Sequence, residues 1–94
     1  MRYSTLAAPR PAALTDLPNI SFVLAEQLQR IGITCDHQLR AIGAVAAAAQ
    51  LQAAGLRPVD ARVLLALEGA IEGVPWQSLP ADVRGQLIRV GVSA

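Results

Sequence analysis

Few side chains in this sequence are of types, and at spacings, that could do chemistry. Cys35 and His37 stand two residues apart. On a helix that spacing turns a thiol and an imidazole to different sides, so they do not converge on one atom. The chain has one Cys and one His in all, so no zinc shell can be completed. Cys35 reads as a small first-turn residue and His37 as an exposed one. Glu68 and Glu72 share a helix face at i and i+4, where a carboxyl pair could do acid and base work. A general acid needs burial and a raised pKa, and Arg62 with the polar surroundings predicts a solvated face instead. Trp76 is expected to plug the gap where a final helix crosses the others, rather than to stack on a base or enter a partner. Neither a GxxxxGK[ST] phosphate loop nor a GxSxG elbow is present. The chain reads as a non-enzyme with no catalytic residue, metal ligand or cofactor.

One stretch has a binding chemistry of its own. In a hairpin of two short helices, unpaired backbone N–H groups and a helix N-terminus capture a phosphate, helped by the helix dipole. Such capture ignores base sequence, because phosphates carry none. Here the turn reads Asn19-Ile20-Ser21-Phe22-Val23. The candidates for DNA-backbone contact are the amides around Ser21, Phe22 and Val23, with Arg30 and Arg40 as supporting charges. Ser21 and Phe22 occupy places where glycine would allow the closest approach.

These residues have to be positioned by helices. No stretch alternates apolar and polar residues long enough for a half-buried strand, whereas caps and stops follow in quick succession from Leu14. A first short element is expected over 15–20, capped by Thr15 or Asp16. Ser21 then caps a helix over 22–31 closed by Gly32, with Leu24, Leu28 and Ile31 inward. These two elements would make an αα-hairpin. Thr34 is expected to cap a helix over 35–42, with Leu39 and Ile42 inward and Gly43 as its stop. A further helix spans 44–54. Pro58 opens one to about residue 71, with Val63, Leu64, Leu67 and Ile71 as the strongest core stripe. A last helix over 80–90 turns Val83, Leu87 and Val90 inward. The fold class is all-α, a compact orthogonal bundle of five or six short helices with a helix-hairpin-helix character. Residues 1–13, with Pro9 and Pro11, form an irregular leader, and 14–94 form the domain.

Composition agrees with a small module. Ninety-four residues make one core, 53% apolar with much alanine and only three aromatic side chains, so Leu, Ile, Val and Ala must fill it. No apolar run approaches the roughly 20 residues needed to span a bilayer, and residues 1–10 lack the long apolar stretch of a signal peptide. A single cysteine allows no internal disulfide, and a cytoplasmic setting is expected. Eight Arg, no Lys and seven acids leave a formal charge of +1, without the strongly basic balance common in nucleic-acid binders.

Taken in order, several segments resemble the C-terminal domain of the TfoX/Sxy family, bacterial proteins linked to natural competence. They are Leu14-Thr15-Asp16-Leu17-Pro18-Asn19-Ile20, Leu24-Ala25-Glu26-Gln27-Leu28 with Ile31-Gly32-Ile33-Thr34, and Gln38-Leu39-Arg40-Ala41-Ile42-Gly43-Ala44. Leu51-Gln52-Ala53-Ala54-Gly55 and Leu64 to Gly73 follow, then Trp76 and Leu79-Pro80. The resemblance implies a helical domain related to helix-hairpin-helix folds, in a family associated with DNA transformation and competence regulation. It also implies a stand-alone copy of the C-terminal half, or a piece of a longer chain cut to it. The family pattern has Gly-Pro where this chain has Ser21-Phe22. Two kinds of partner follow: DNA, held weakly by its backbone, or a regulatory protein or second copy with no nucleic-acid role. No membrane and no small-molecule substrate is expected.

Overall fold

A computed structural model describes residues 13–93. The leader expected over 1–13 lies outside the described residues except for Ala13, which forms an isolated antiparallel bridge with Cys35. Five α-helices follow in order: α1 (Phe22–Arg30), α2 (Asp36–Ile42), α3 (Ala44–Ala53), α4 (Ala61–Glu72) and α5 (Ala81–Ser93). Short 3₁₀ turns at Leu14–Asp16 and Trp76–Ser78 precede α1 and α5. The fold is all-α, a small bundle.

The capping chemistry explains most boundaries. Ser21 Oγ accepts from the Leu24 amide at 3.1 Å and starts α1 where expected. Gly32, Gly43, Gly55 and Gly73, each at positive φ, end the first four helices. At α2 the cap position belongs to Cys35, not Thr34. Thr34 gives both its amide and its hydroxyl hydrogen to Gln38 Oε1. α4 begins three residues later than Pro58 suggested. Asp60 is its true cap, its Oδ1 accepting from the Val63 amide at 2.9 Å, while the Val59 amide just before it donates to Gln52 Oε1.

The largest departure is at the start. The element expected over 15–20 is only the three-residue 3₁₀ turn, whose preceding residue, Ala13, makes no side-chain cap bond. Pro18 and the left-handed Asn19 stop any continuation. The expected hairpin therefore has one α-helical limb.

α4 sits at the centre, against α2, α3, α5 and the turn at Trp76. Leu14, Leu28, Leu39, Leu51, Leu64 and Leu67 are fully buried. Ile31, Ile42, Ile71 and Val83 pack half-buried around that core. Val90 is exposed, against expectation. Leu87 is buried, but the face of α5 that meets α4 continues through Gly91. A β-carbon there would stand 2.5 Å from Ala61 N, so Val90 is turned aside. No helix among the described residues is long and apolar enough to cross a membrane.

Candidate interaction surface

The residues proposed for DNA contact fall in separate places. Ser21 is exposed, but its hydroxyl is engaged in capping α1. Phe22 is 84% exposed and Val23 58%. Their amides begin the helix, at positions that intrahelical hydrogen bonding leaves open. Arg30 is at the opposite end of α1, about 13 Å along the axis, where its guanidinium lies 4.0 Å from Glu26. Arg40 belongs to α2 and is occupied elsewhere. It contacts Asp36 Oδ2 at 2.6 Å and donates through Nε to the Ile71 carbonyl at 3.1 Å. Asp36 is buried, so Arg40 holds a buried carboxylate in place and ties α2 to the end of α4. Only Ser21, Phe22 and Val23 share one surface. It borders a hollow of about 560 Å³, with Thr15, Glu26 and Gln29 on its rim.

Asn19 is the residue whose role the sequence concealed. It takes φ 70°, and its side chain reaches across to the α4–α5 connection. Nδ2 donates to the Val74 carbonyl at 3.0 Å, and Oδ1 accepts from the Trp76 amide at 3.2 Å. Gly69 makes this possible: a β-carbon there would collide with Asn19 Nδ2 and stand 2.8 Å from Val74 O. Partners 55 and 57 residues away leave no local sequence signal.

Trp76 is not the buried plug expected. It is 38% exposed and walls a mostly apolar groove of about 700 Å³ between α4 and α5. Ala61, Leu65, Ala66 and Ile88 form the rest of the wall, with Arg62 and Asn19 as its polar residues.

Glu68 also differs from expectation, whereas Glu72 is exposed as expected. Glu68 is half-buried, and burial raises its carboxyl pKa above the ordinary value. The charge of Glu72 and a hydrogen bond between the two side chains act in the same direction. They line a hollow of about 290 Å³ whose walls otherwise include Ser78, Leu79, Pro80 and Val83. Cys35 is half-buried and His37 exposed. Among the described residues no three His, Cys, Asp or Glu side chains are grouped to hold a metal ion.

Two crystal structures of Listeria monocytogenes proteins are similar to this chain. One, an uncharacterised protein in a triclinic form, shares 32% identity at a TM-score of 0.81, covering 87% of this chain and 92% of that one. The other, a protein of unknown function in a tetragonal form, shares 31% identity at a TM-score of 0.78, covering 85% and 96%. No curated protein matches. The model of the TfoX C-terminal domain matches residues 10–90, which is most of the sequence. The ordered segments noted in the sequence and the all-α bundle thus have one source: the chain belongs to the TfoX C-terminal domain family.

Proposed function

We propose that this chain is a non-enzymatic module of the competence-regulator type that works by binding another protein. The exposure of Phe22, 84% on the first residue of α1, carries this reading. An aromatic ring left in water beside Val23 sacrifices apolar burial unless a partner covers it. The surroundings favour a protein. Glu26 is on the same rim, Arg30 is turned toward Glu26 at the far end of the helix, and Arg40 is engaged with Asp36. The carboxyl pair offers little basis for catalysis, since Ser78 is the other polar side chain around its hollow.

DNA is the second reading, favoured by one feature: the Phe22 and Val23 amides open a nine-residue helix at an exposed surface. Titration of the ¹⁵N-labelled chain with a DNA duplex at low salt separates the two. The protein reading expects no saturable shift of the Phe22 and Val23 amide signals. Saturable shifts there, weakening steeply as salt rises, would replace it with backbone-type DNA binding.

A further inference from the structure

We propose that the partner is a second copy of this chain, whose α1 face, formed by Phe22, Val23 and Glu26, docks into the groove between α4 and α5. This rests on the reading that the module binds protein, and names the occupant. The two surfaces are complementary in composition. The groove is walled by Leu65, Ala66, Trp76 and Ile88, with Ile88 44% and Trp76 38% exposed. Its charged residue is Arg62, which has no ion pair among the described residues. The α1 face offers the converse: a protruding ring, a valine and a carboxylate. Among the described residues Glu26 is held only by an exposed 4.0 Å contact with Arg30, a pairing that costs little to exchange.

The two spacings are of similar order, though not equal. Phe22 and Glu26 are one turn apart, about 6 Å along α1. In the groove, Arg62 precedes by seven residues Gly69, beside which the Trp76 Cα lies, about 10 Å along α4. The reach of the Glu and Arg side chains spans the difference. The ring of Phe22 then meets the Trp76 end of the groove while Glu26 meets Arg62. Aromatic pairing at Phe22 and a charge-assisted contact one turn later at Glu26 set both position and direction. Taken head-to-tail, a contact between these two different patches leaves each pair with one free knob and one free groove. A single short helix in a groove buries less than a standard interface, so association is weak and needs high protein concentration.

Sedimentation velocity up to about millimolar chain tests this, since weak, small interfaces require such concentrations. The wild type is expected to rise above the 9.9 kDa monomer with concentration, without stopping at two copies. Phe22→Ala and Ile88→Glu, both surface changes checked for native circular dichroism, are each expected to remain monomeric. Mixed together they are expected to form a 1:1 pair and nothing larger, because one retains the groove and the other the knob. Glu26→Arg and Arg62→Glu are each expected to weaken association about tenfold, and the double variant to restore it. A wild type monomeric throughout overturns the proposal. So does association that survives Phe22→Ala, or variants that fail to complement. Each of these outcomes leaves the broader protein-binding reading to the DNA titration.

Discussion

Asn19 and Gly69 fit together as a pair: the side-chain nitrogen of one fills the space that a β-carbon on the other would occupy. That fit lets one carboxamide satisfy both the Val74 carbonyl and the Trp76 amide. Gly69→Ala is therefore expected to destabilise the fold by about 1–3 kcal/mol, the usual range for overpacking. Thermal unfolding followed by circular dichroism should show a fall of about 4–8 °C for each kcal/mol in a domain of this size. An unchanged midpoint would mean the contact is readily relieved.

Asn19 itself combines two contributions that substitution separates. Asn19→Ala loses both hydrogen bonds and keeps a left-handed backbone that alanine resists, at an expected cost of about 1–3 kcal/mol. Asn19→Gly loses the same bonds but accepts φ 70°, and should recover about 1 kcal/mol of that cost. Equal stabilities for the two variants, measured by urea unfolding, would remove backbone conformation from the account.

Where a structural cause is local, it was legible. Ser21 as a cap, the helix stops at Gly32, Gly43 and Gly73, and the stripe Val63, Leu64 and Leu67 follow from residue type and spacing within a few positions. Pro58 misled because proline marks a helix start only approximately, and the side chain of Asp60, two residues on, captures the first free amide. Asn19, Gly69 and Gly91 act on chain distant in sequence. The burial of Glu68 depends on where the turn after α4 returns, with Val74, Leu79 and Val83 around it. The surface at Phe22 and Val23 was found as a turn, but its character as an apolar knob needed exposure to be known.

Glu68 gives the protein a predictable response to pH. Its carboxyl pKa is raised in the folded state, by burial first and by Glu72 second. The folded protein thus binds the proton more tightly than the unfolded chain does. Stability from this group is fullest at acid pH and falls as pH climbs from the unfolded value through the raised one. Glu68→Gln is expected to have a higher melting temperature than wild type at neutral pH, with the gap closing toward pH 4. A gap independent of pH would show that titration of Glu68 is not its source.

Arg30 and Arg40 should behave differently. Arg40→Ala removes charge-assisted contacts to buried Asp36 and to the Ile71 carbonyl, at an expected cost of about 1–3 kcal/mol. Arg30→Ala breaks only an exposed pair and should stay within about 0.5 kcal/mol of wild type. Chemical denaturation of both variants provides the check. A loss of DNA binding in Arg40→Ala would need this stability measurement beside it before being ascribed to a phosphate contact.

Gly91→Ala places a methyl 2.5 Å from Ala61 N and 2.9 Å from its Cα, both backbone atoms that cannot rotate away. The expected result is loosening of α5, at about 1–3 kcal/mol. Hydrogen exchange would register it as faster amide exchange in α5 than in α2 or α3. Uniform change across all helices would point to global destabilisation instead.

The bridge made by Asn19 also imposes an order in time. Its later partner, the Trp76 amide, is 57 residues further along the chain. At 5–20 residues per second a ribosome needs roughly 3–11 s to add that length. During that interval the turn that launches α1 lacks the anchors that fix its left-handed residue. The N-terminal quarter of this domain therefore reaches its final shape only after most of the chain has been made, and a nascent chain stalled before Trp76 would display Phe22 on an unanchored turn.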